Sequence, residues 1–288
     1  MKHLPRLPER LAPCLFAMMV VLPTPKLFGT DLKPQTLESF TRYIELTETR
    51  VNTELKRPGQ FLLVDGLPVA RRGQVLNMLR NGEIFIEPLS TPDASGKQIV
   101  PPGGMFHHWL GAVFVPRANL GQTMELVEDY NRHQDIYKPE VVGSKLVSRN
   151  GEYFKIFYRL RKKKVITVTL NSDHDVHYFP VDSTHCYSQS YSTRIAEVAD
   201  ADTPQEHEKP IGHDGGFLWR INSYWRFEEK DGGMYIECES ISLTRGLPPL
   251  IGWIIKGFVT EIPRESLMMT MGSTRSALLG KVQAVGQH

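Results

Sequence analysis

Apolar and polar residues alternate through 217–228, with Phe217, Trp219, Ile221, Ser223, Trp225 and Phe227 in one phase and Arg220, Asn222, Tyr224, Arg226 and Glu228 in the other. A period of two sends alternate side chains to opposite faces, so the segment predicts a strand with one aromatic and one polar face. Asp231-Gly232 is a hairpin signal, since both residues can take positive φ. That turn sets Arg226 opposite Glu237 and Tyr224 opposite Glu239, and opposite charges across a pair favour the register by about 0.2–1 kcal/mol. The same register puts Met234, Ile236, Cys238 and Ser240 beside the tryptophans. Gly246-Leu247-Pro248-Pro249 then breaks the strand, and an apolar connector covers Leu250 to Ile262. Pro263 suits the first turn of a helix whose Leu267, Met271, Thr274 and Leu278 share one face. The strand aromatics are the natural partner of that face.

Upstream, helical spacing of Leu37, Phe40, Ile44, Val51 and Leu55 predicts an amphipathic helix over 34–56. A second helix is expected over Val69–Asn81, ending at Gly82, and a short strand over Glu83–Leu89. From Met105 the pattern changes to strands, interrupted by one helix from Leu120 to about Asp135. Asn150-Gly151 marks a further hairpin, and strands joined this way make the sheet antiparallel. Residues 199–216 have almost no apolar side chain and predict a long mobile loop, either an entrance flap or a plain insertion.

Composition narrows the possibilities. Lys+Arg number 34 against Asp+Glu 32 in 288 residues, too even a balance for a nucleic-acid binder. Basic residues Lys2, His3, Arg6 and Arg10 precede the apolar run Leu11–Leu22 and then Pro23-Thr24-Pro25, the order of a secretory leader. Residues 1–29 are read as a signal peptide or an uncleaved, membrane-tethering leader, which implies an exported, periplasmic or secreted protein. Cys14 belongs to that leader, leaving Cys186 and Cys238.

Familiar chemistry is sparse. No nucleophile elbow, dinucleotide fingerprint or phosphate loop occurs. His174 and His177 lie three apart, a spacing that faces opposite sides of a strand, and no Cys or Glu completes a zinc pattern. Glu237 and Glu239 share a face about 6.8 Å apart, but that face points away from the aromatic one and reads as a solvated, salt-bridged surface. We therefore expect no metal, no cofactor and no catalytic set. Arg161, Lys162, Lys163 and Lys164 concentrate charge at a strand turn, a solvated run or a peripheral contact with anionic membranes.

The segment VFVPRANLGQTMELVEDYNRHQDIYKPEVV, with Pro116, Asp129, Tyr130, Tyr137, Pro139 and Val142, resembles the START-like (SRPBCC) superfamily. YIECESISLTR, PPLIGWIIKGFV and IPRESL add to the likeness, which covers about 105–279. It implies an α+β helix-grip fold, an antiparallel curved sheet wrapped around a long C-terminal helix, over 105–288. Residues 30–104 then form a mostly helical N-terminal extension. It implies also a cavity for a hydrophobic or amphipathic small molecule or lipid, walled by Trp219, Ile221, Trp225, Ile236, Cys238, Met268 and Met271. Under the simplest strand pairing Tyr187, Gln189 and Tyr191 point into the same cup. The implied sheet order separates Cys186 from Cys238 by two strand spacings, about 9.6 Å, too far for a disulfide. The expected function is carriage of a hydrophobic molecule without transforming it. A cyclase or dehydratase in the same cup, and a structural protein whose cup is filled by its own side chains, stay open.

Overall fold

The computed structural model describes residues 31–246, except Val165, and residues 252–285, the last segment with side chains from Glu261 to Ala284. The leader, the break after Gly246 and the start of the connector lie outside the described residues. In chain order the elements are α1 (Pro34–Glu54), a 3-10 turn (Leu63–Gly66), α2 (Val69–Arg80), β1 (Phe85–Pro88) and β2 (Gly104–Pro116). Next come α3 (Leu120–Val127), a 3-10 turn (Tyr130–Arg132), α4 (His133–Ile136), β3 (Val141–Asn150), β4 (Tyr153–Lys163) and β5 (Thr167–Pro180). β6 (His185–Ala199), β7 (His207–Glu208), β8 (Arg220–Lys230), β9 (Gly233–Arg245) and α5 (Gly252–Val285) complete the order.

The strands form one antiparallel sheet in the order β1-β2-β9-β8-β6-β5-β4-β3, with β7 paired to β6. The Asp231-Gly232 turn falls where the sequence puts it, with φ of 56° and 72°, whereas the other hairpin turns one residue later than expected, at Gly151-Glu152, with φ of 58° at Gly151 and Asn150 paired to Tyr153. The β8–β9 register is also the one expected, Arg226 against Glu237 and Tyr224 against Glu239. Val113 of β2 and Phe154 and Ile156 of β4 share one buried cluster with Met271 and Leu278 of α5. β2 and β4 are five strand spacings apart, about 24 Å in a flat sheet, so the sheet curves around the helix. The architecture is an α+β helix-grip with helices on the back of the sheet.

α1 buries one stripe, Phe40, Tyr43, Ile44 and Val51, against Tyr224, Ile241 and Leu243 on the convex face. The segment after it buries Leu62, Val64, Val75 and Leu79 against Leu110, Ala112, Phe114 and Tyr235. β1, within the part of the chain read as an extension, pairs with β2.

Three local expectations change. The helix expected over 120–135 stops at Val127, where an Asn119–Gln122 capping box has set its start and a 3-10 turn breaks its course before α4. Helix α5 begins at Gly252, so Pro263 sits inside it and not at its first turn. The loop after β6 is tied down: Glu197 takes the Gly215 N–H at 2.7 Å and pairs with Lys209, and Asp214 takes the Gly216 N–H at 2.7 Å and the Trp219 indole N–H at 3.1 Å. Polar composition alone did not reveal these anchoring carboxylates.

Helix α5 lies chiefly over β2. At Gly111 a Cβ would stand 2.8 Å from Met271 Cγ and 3.0 Å from Leu267 Cγ, so the glycine lets helix and strand approach. Gly111→Val should lower the unfolding free energy by about 1–3 kcal/mol. Equilibrium denaturation checks this, and an unchanged midpoint would contradict the seating of α5 on β2.

Candidate functional site

Strand alternation and register assemble a floor on the concave face. Across it, Trp109 stands opposite Ser240, Ser240 opposite Ser223, Ser223 opposite Ser190, and Ser190 opposite Val176. The adjoining row is Gly111, Cys238, Trp225, Ser188 and Tyr178. The next holds His107, Ser242 and Ile221, followed by Ser192, whose hydroxyl accepts the Ile221 N–H at 2.9 Å and which stands opposite His174. Trp109, Ile221 and Trp225 are half-buried, as are Ser190, Ser223 and Ser240. Trp225 stacks parallel on Phe227, centroids 6.0 Å apart. Small hydroxyls thus occupy the centre of a face whose flanks carry large rings.

The wall toward α3 and α4 is made of phenols and imidazoles. Tyr178 donates to the Val127 carbonyl at 3.2 Å and therefore receives the Tyr130 hydroxyl at 2.7 Å. Tyr137 reaches Thr274 at 3.2 Å, His133 Nδ1 the Tyr158 hydroxyl at 2.6 Å, and His174 Nε2 the Ser172 hydroxyl at 3.0 Å. Thr244 donates to the Arg245 carbonyl and so takes the proton of His107 Nε2 at 2.9 Å. Burial pushes His107, His133 and His174 down to about 4. It pushes Tyr137 up to about 12, and Tyr130, Tyr158 and Tyr178 well above the ordinary phenol value. None of these groups ionises near neutrality. The wall can donate and accept hydrogen bonds, yet it holds no group poised for acid–base work at pH 7.

Of the residues singled out from the sequence, Ile221, Trp225, Ile236 and Cys238 lie on the concave face, Ile236 and Cys238 within its packed core. Met271 is also buried there, against Gly111. Met268 lies elsewhere, lining a pocket of about 220 Å³ with Arg71, Met78, Ile84, Phe85, Ile86 and Arg264. Trp219 is a correction: β8 starts one residue later, the alternation does not extend back to it, and its ring joins Phe40 and Tyr43 on the convex side. Tyr187, Gln189 and Tyr191 are a second correction. Ser188, not Tyr187, stands opposite Trp225, and a one-residue shift sends every side chain to the other face. The Gln189 amide donates to the Tyr187 hydroxyl at 3.0 Å and Tyr191 donates to Glu48 at 2.9 Å, both on the convex side. The serines that take their places were missed because the aromatics drew the reading.

The convex polar face also corrects the expectation of a solvated surface. Arg226, Glu237 and Glu239 are only 3, 2 and 3% exposed. Glu237 accepts the Leu63 and Val64 N–H groups at 2.7 and 3.0 Å, and burial pushes it up to about 7. Arg226 donates to Glu54 at 2.7 Å and to the Phe61 carbonyl at 3.2 Å. Glu239 takes His108 Nε2 at 2.7 Å and pairs with Arg50, which together hold it below its usual value despite burial.

The basic run is largely engaged. Lys162 pairs with Glu140 and reaches Ser266 at 3.1 Å, Lys164 pairs with Glu265 at 2.6 Å, and Arg161 with Asp202 at 2.5 Å. These residues and Lys163 line an open groove of about 720 Å³ with Lys138, Pro139 and Val142. His174 is on the concave face, whereas His177 stacks on Tyr153 at 3.7 Å on the other. Among the described residues no group of three or more His, Cys, Asp or Glu is placed to hold a metal ion. Cys186 and Cys238 are free, buried thiols with β8 between their strands.

No family model matches the chain, and no curated protein does. Among solved structures it is similar to a STAR-related lipid transfer protein fragment from Xanthomonas axonopodis, at 12% identity and TM-score 0.43 over 67% of this chain and 98% of that one. It is similar to human STARD10 at 10% identity and TM-score 0.45, over 77% of this chain and 84% of that one. It is similar also to the Zhui aromatase/cyclase from a Streptomyces species, at 12% identity and TM-score 0.41, over 62% of this chain and 94% of that one.

The buried histidines carry a pH dependence. Each is held below its ordinary value of 6.5, so its share of stability is present above that pH and is lost as pH falls through about 6.5 toward 4. A full shift of this size is worth roughly 3 kcal/mol per histidine. His174→Gln should therefore reduce the loss of unfolding free energy between pH 7 and 4.5 by up to that amount, read by denaturant titration. An unaltered loss would mean that His174 is not buried neutral.

Proposed function

We propose that the protein binds and carries a hydrophobic or amphipathic small molecule in the cup between the sheet and α5, without transforming it. The observation that carries this reading is the row Trp109, Ser240, Ser223, Ser190 at the centre of the concave face. A core strand face filled for stability alone would place large aliphatic side chains there, since close packing is what such a face contributes. Small, half-buried hydroxyls beside half-buried indoles are instead what a selective pocket needs, apolar walls with a few polar groups to orient a ligand.

The neutrality of the surrounding histidines and tyrosines supports binding over acid–base turnover. The leader pattern of residues 1–29 supports an exported carrier. The groove beside Lys163 is where contact with an anionic membrane would occur in this reading, although Lys162, Lys164 and Arg161 are already paired.

Ser223→Phe fills the middle of the floor. It should weaken binding of an anilinonaphthalene sulfonate probe at least about tenfold, equivalent to about 1.4 kcal/mol, while Gln189→Ala on the convex face leaves it unchanged. Equal affinity in the two variants would remove the cup as the binding site. Native mass spectrometry of the protein purified from its host should show a bound small molecule in the wild type and a reduced share in Ser223→Phe.

A further inference from the structure

The floor also constrains the chemistry of what it holds, an inference that rests on the cup being the binding site. Among the described residues, the hydroxyls of Ser188, Ser190, Ser223, Ser240 and Ser242 have no hydrogen-bond partner. They are not spare groups scattered over a surface. Ser190, Ser223 and Ser240 are directly opposite one another on three neighbouring strands, so their hydroxyls form a line of about 9.6 Å at one strand spacing per step. Ser188 and Ser242 flank the line on the adjoining rows. Ser190, Ser223 and Ser240 are half-buried, and none of the five hydroxyls is sealed from water, so each is free to exchange water for an oxygen of a ligand.

Charge is absent from the same area. Along the three rows, among the described residues, the side chains are Trp, Ser, Val, Gly, Cys, Tyr, His and Ile, with no carboxylate, lysine or arginine. His107, His174, Tyr178 and Cys238, the titratable groups of these rows, are held neutral at pH 7 by burial. Among the described residues the charged side chains on the concave side of the strands stand outside the three rows and have partners, Lys162 with Glu140, Glu197 with Lys209, Arg149 with Glu128, and Glu229 with the Leu120 N–H at 2.8 Å. An anionic headgroup carried onto this floor would give up its hydration and meet only neutral dipoles, which do not repay the loss of water around a full charge. Neutral oxygens lose much less, and each can take up one of the waiting hydroxyls.

We propose that the ligand is a neutral amphiphile with several oxygen functions along one edge, seated with those oxygens on the Ser190–Ser223–Ser240 line and its apolar part against Trp109 and Trp225. Among the described residues the floor offers no cation, which disfavours fatty acids and anionic lipids; hydrocarbons and single alcohols are admitted but leave most of the line unused. Recognition is by count and spacing of neutral oxygens, not by charge.

The test compares three probes with one twelve-carbon chain, titrated into the full chain at pH 7.5: 1-lauroylglycerol, 1-dodecanol and laurate. Lauroylglycerol should bind tightest, dodecanol less well, and laurate at least about tenfold more weakly than lauroylglycerol. The triple variant Ser190→Ala, Ser223→Ala, Ser240→Ala should bind lauroylglycerol and dodecanol alike. Ser223→Ala alone serves, with a smaller narrowing of that gap, if the triple variant does not fold. Laurate binding as tightly as lauroylglycerol, or a preference that survives in the serine variants, overturns the proposal while leaving the cup as a binding site. Binding of none of the three overturns the cup reading itself.

Discussion

Side chains on a strand alternate, and in this sheet two interior strands, β8 and β9, are covered on both sides. β8 and β9 turn Trp225, Phe227, Ile236 and Cys238 toward α5 and Tyr224, Arg226, Glu237 and Glu239 toward α1 and the segment after it. An ordinary two-layer protein would leave that second face in water. Here it is sealed, and sealing a face built from charged residues is possible only if each one finds a partner. The partners are specific: Glu54 and a carbonyl for Arg226, two backbone N–H groups for Glu237, His108 and Arg50 for Glu239. The N-terminal helices are thereby bound to the back of the sheet by directional bonds as well as by apolar contact.

That arrangement frees the concave face from carrying all of the fold's packing. One buried cluster, with Val113, Phe154, Ile236, Met271 and Leu278, closes the lower part of the cup, while the extension adds two further clusters on the convex side. With apolar burial distributed over both sides of the sheet, serines can stand at the centre of the floor without the strand pairs losing their hold. Strands whose backs are fixed by ion pairs and backbone hydrogen bonds also give the floor a set geometry, so hydroxyls on adjacent strands keep the spacing of the sheet.

Much of this was legible in the sequence. The Asp231-Gly232 turn fixed the β8–β9 register because the turn chemistry admits few alternatives, and the periodicity of α1 and the Gly82 stop after α2 placed those helices within two residues. Trp219 misled because periodicity says nothing about where a strand begins. Tyr187, Gln189 and Tyr191 misled because face assignment on β6 depends on a pairing that no turn between β6 and β8 specifies; the connection runs through residues 200–219. The charged face was misread for a more general reason. A single strand with Arg and Glu on one side looks solvated, and only the partners contributed by distant segments, Glu54, Leu63 and Val64, show that it is buried. The serine line was invisible for the same reason, since its members come from three separate strands.

The two faces of β8 and β9 bear on each other electrostatically. Behind the floor, Glu48, Glu54, Glu237 and Glu239 stand against Arg50 and Arg226, so the seam is richer in carboxylates than in guanidinium groups. Partial neutralisation of Glu237 by its raised pKa, about 7, reduces that excess without removing it. A unit charge about 8 Å from another is worth about 2 kcal/mol at an effective dielectric of 20. The seam and the floor are adjacent along the same strand, Glu239 beside Ser240 and Glu237 beside Cys238. In the proposed mode of binding, the negative excess on the convex side would add repulsion to the desolvation cost of an anion on the concave side, and a neutral ligand would feel neither. The residues that hold the extension in place and the residues that face the cup alternate along the same strands, so the device that fixes the fold also sets the electrostatic character of the floor.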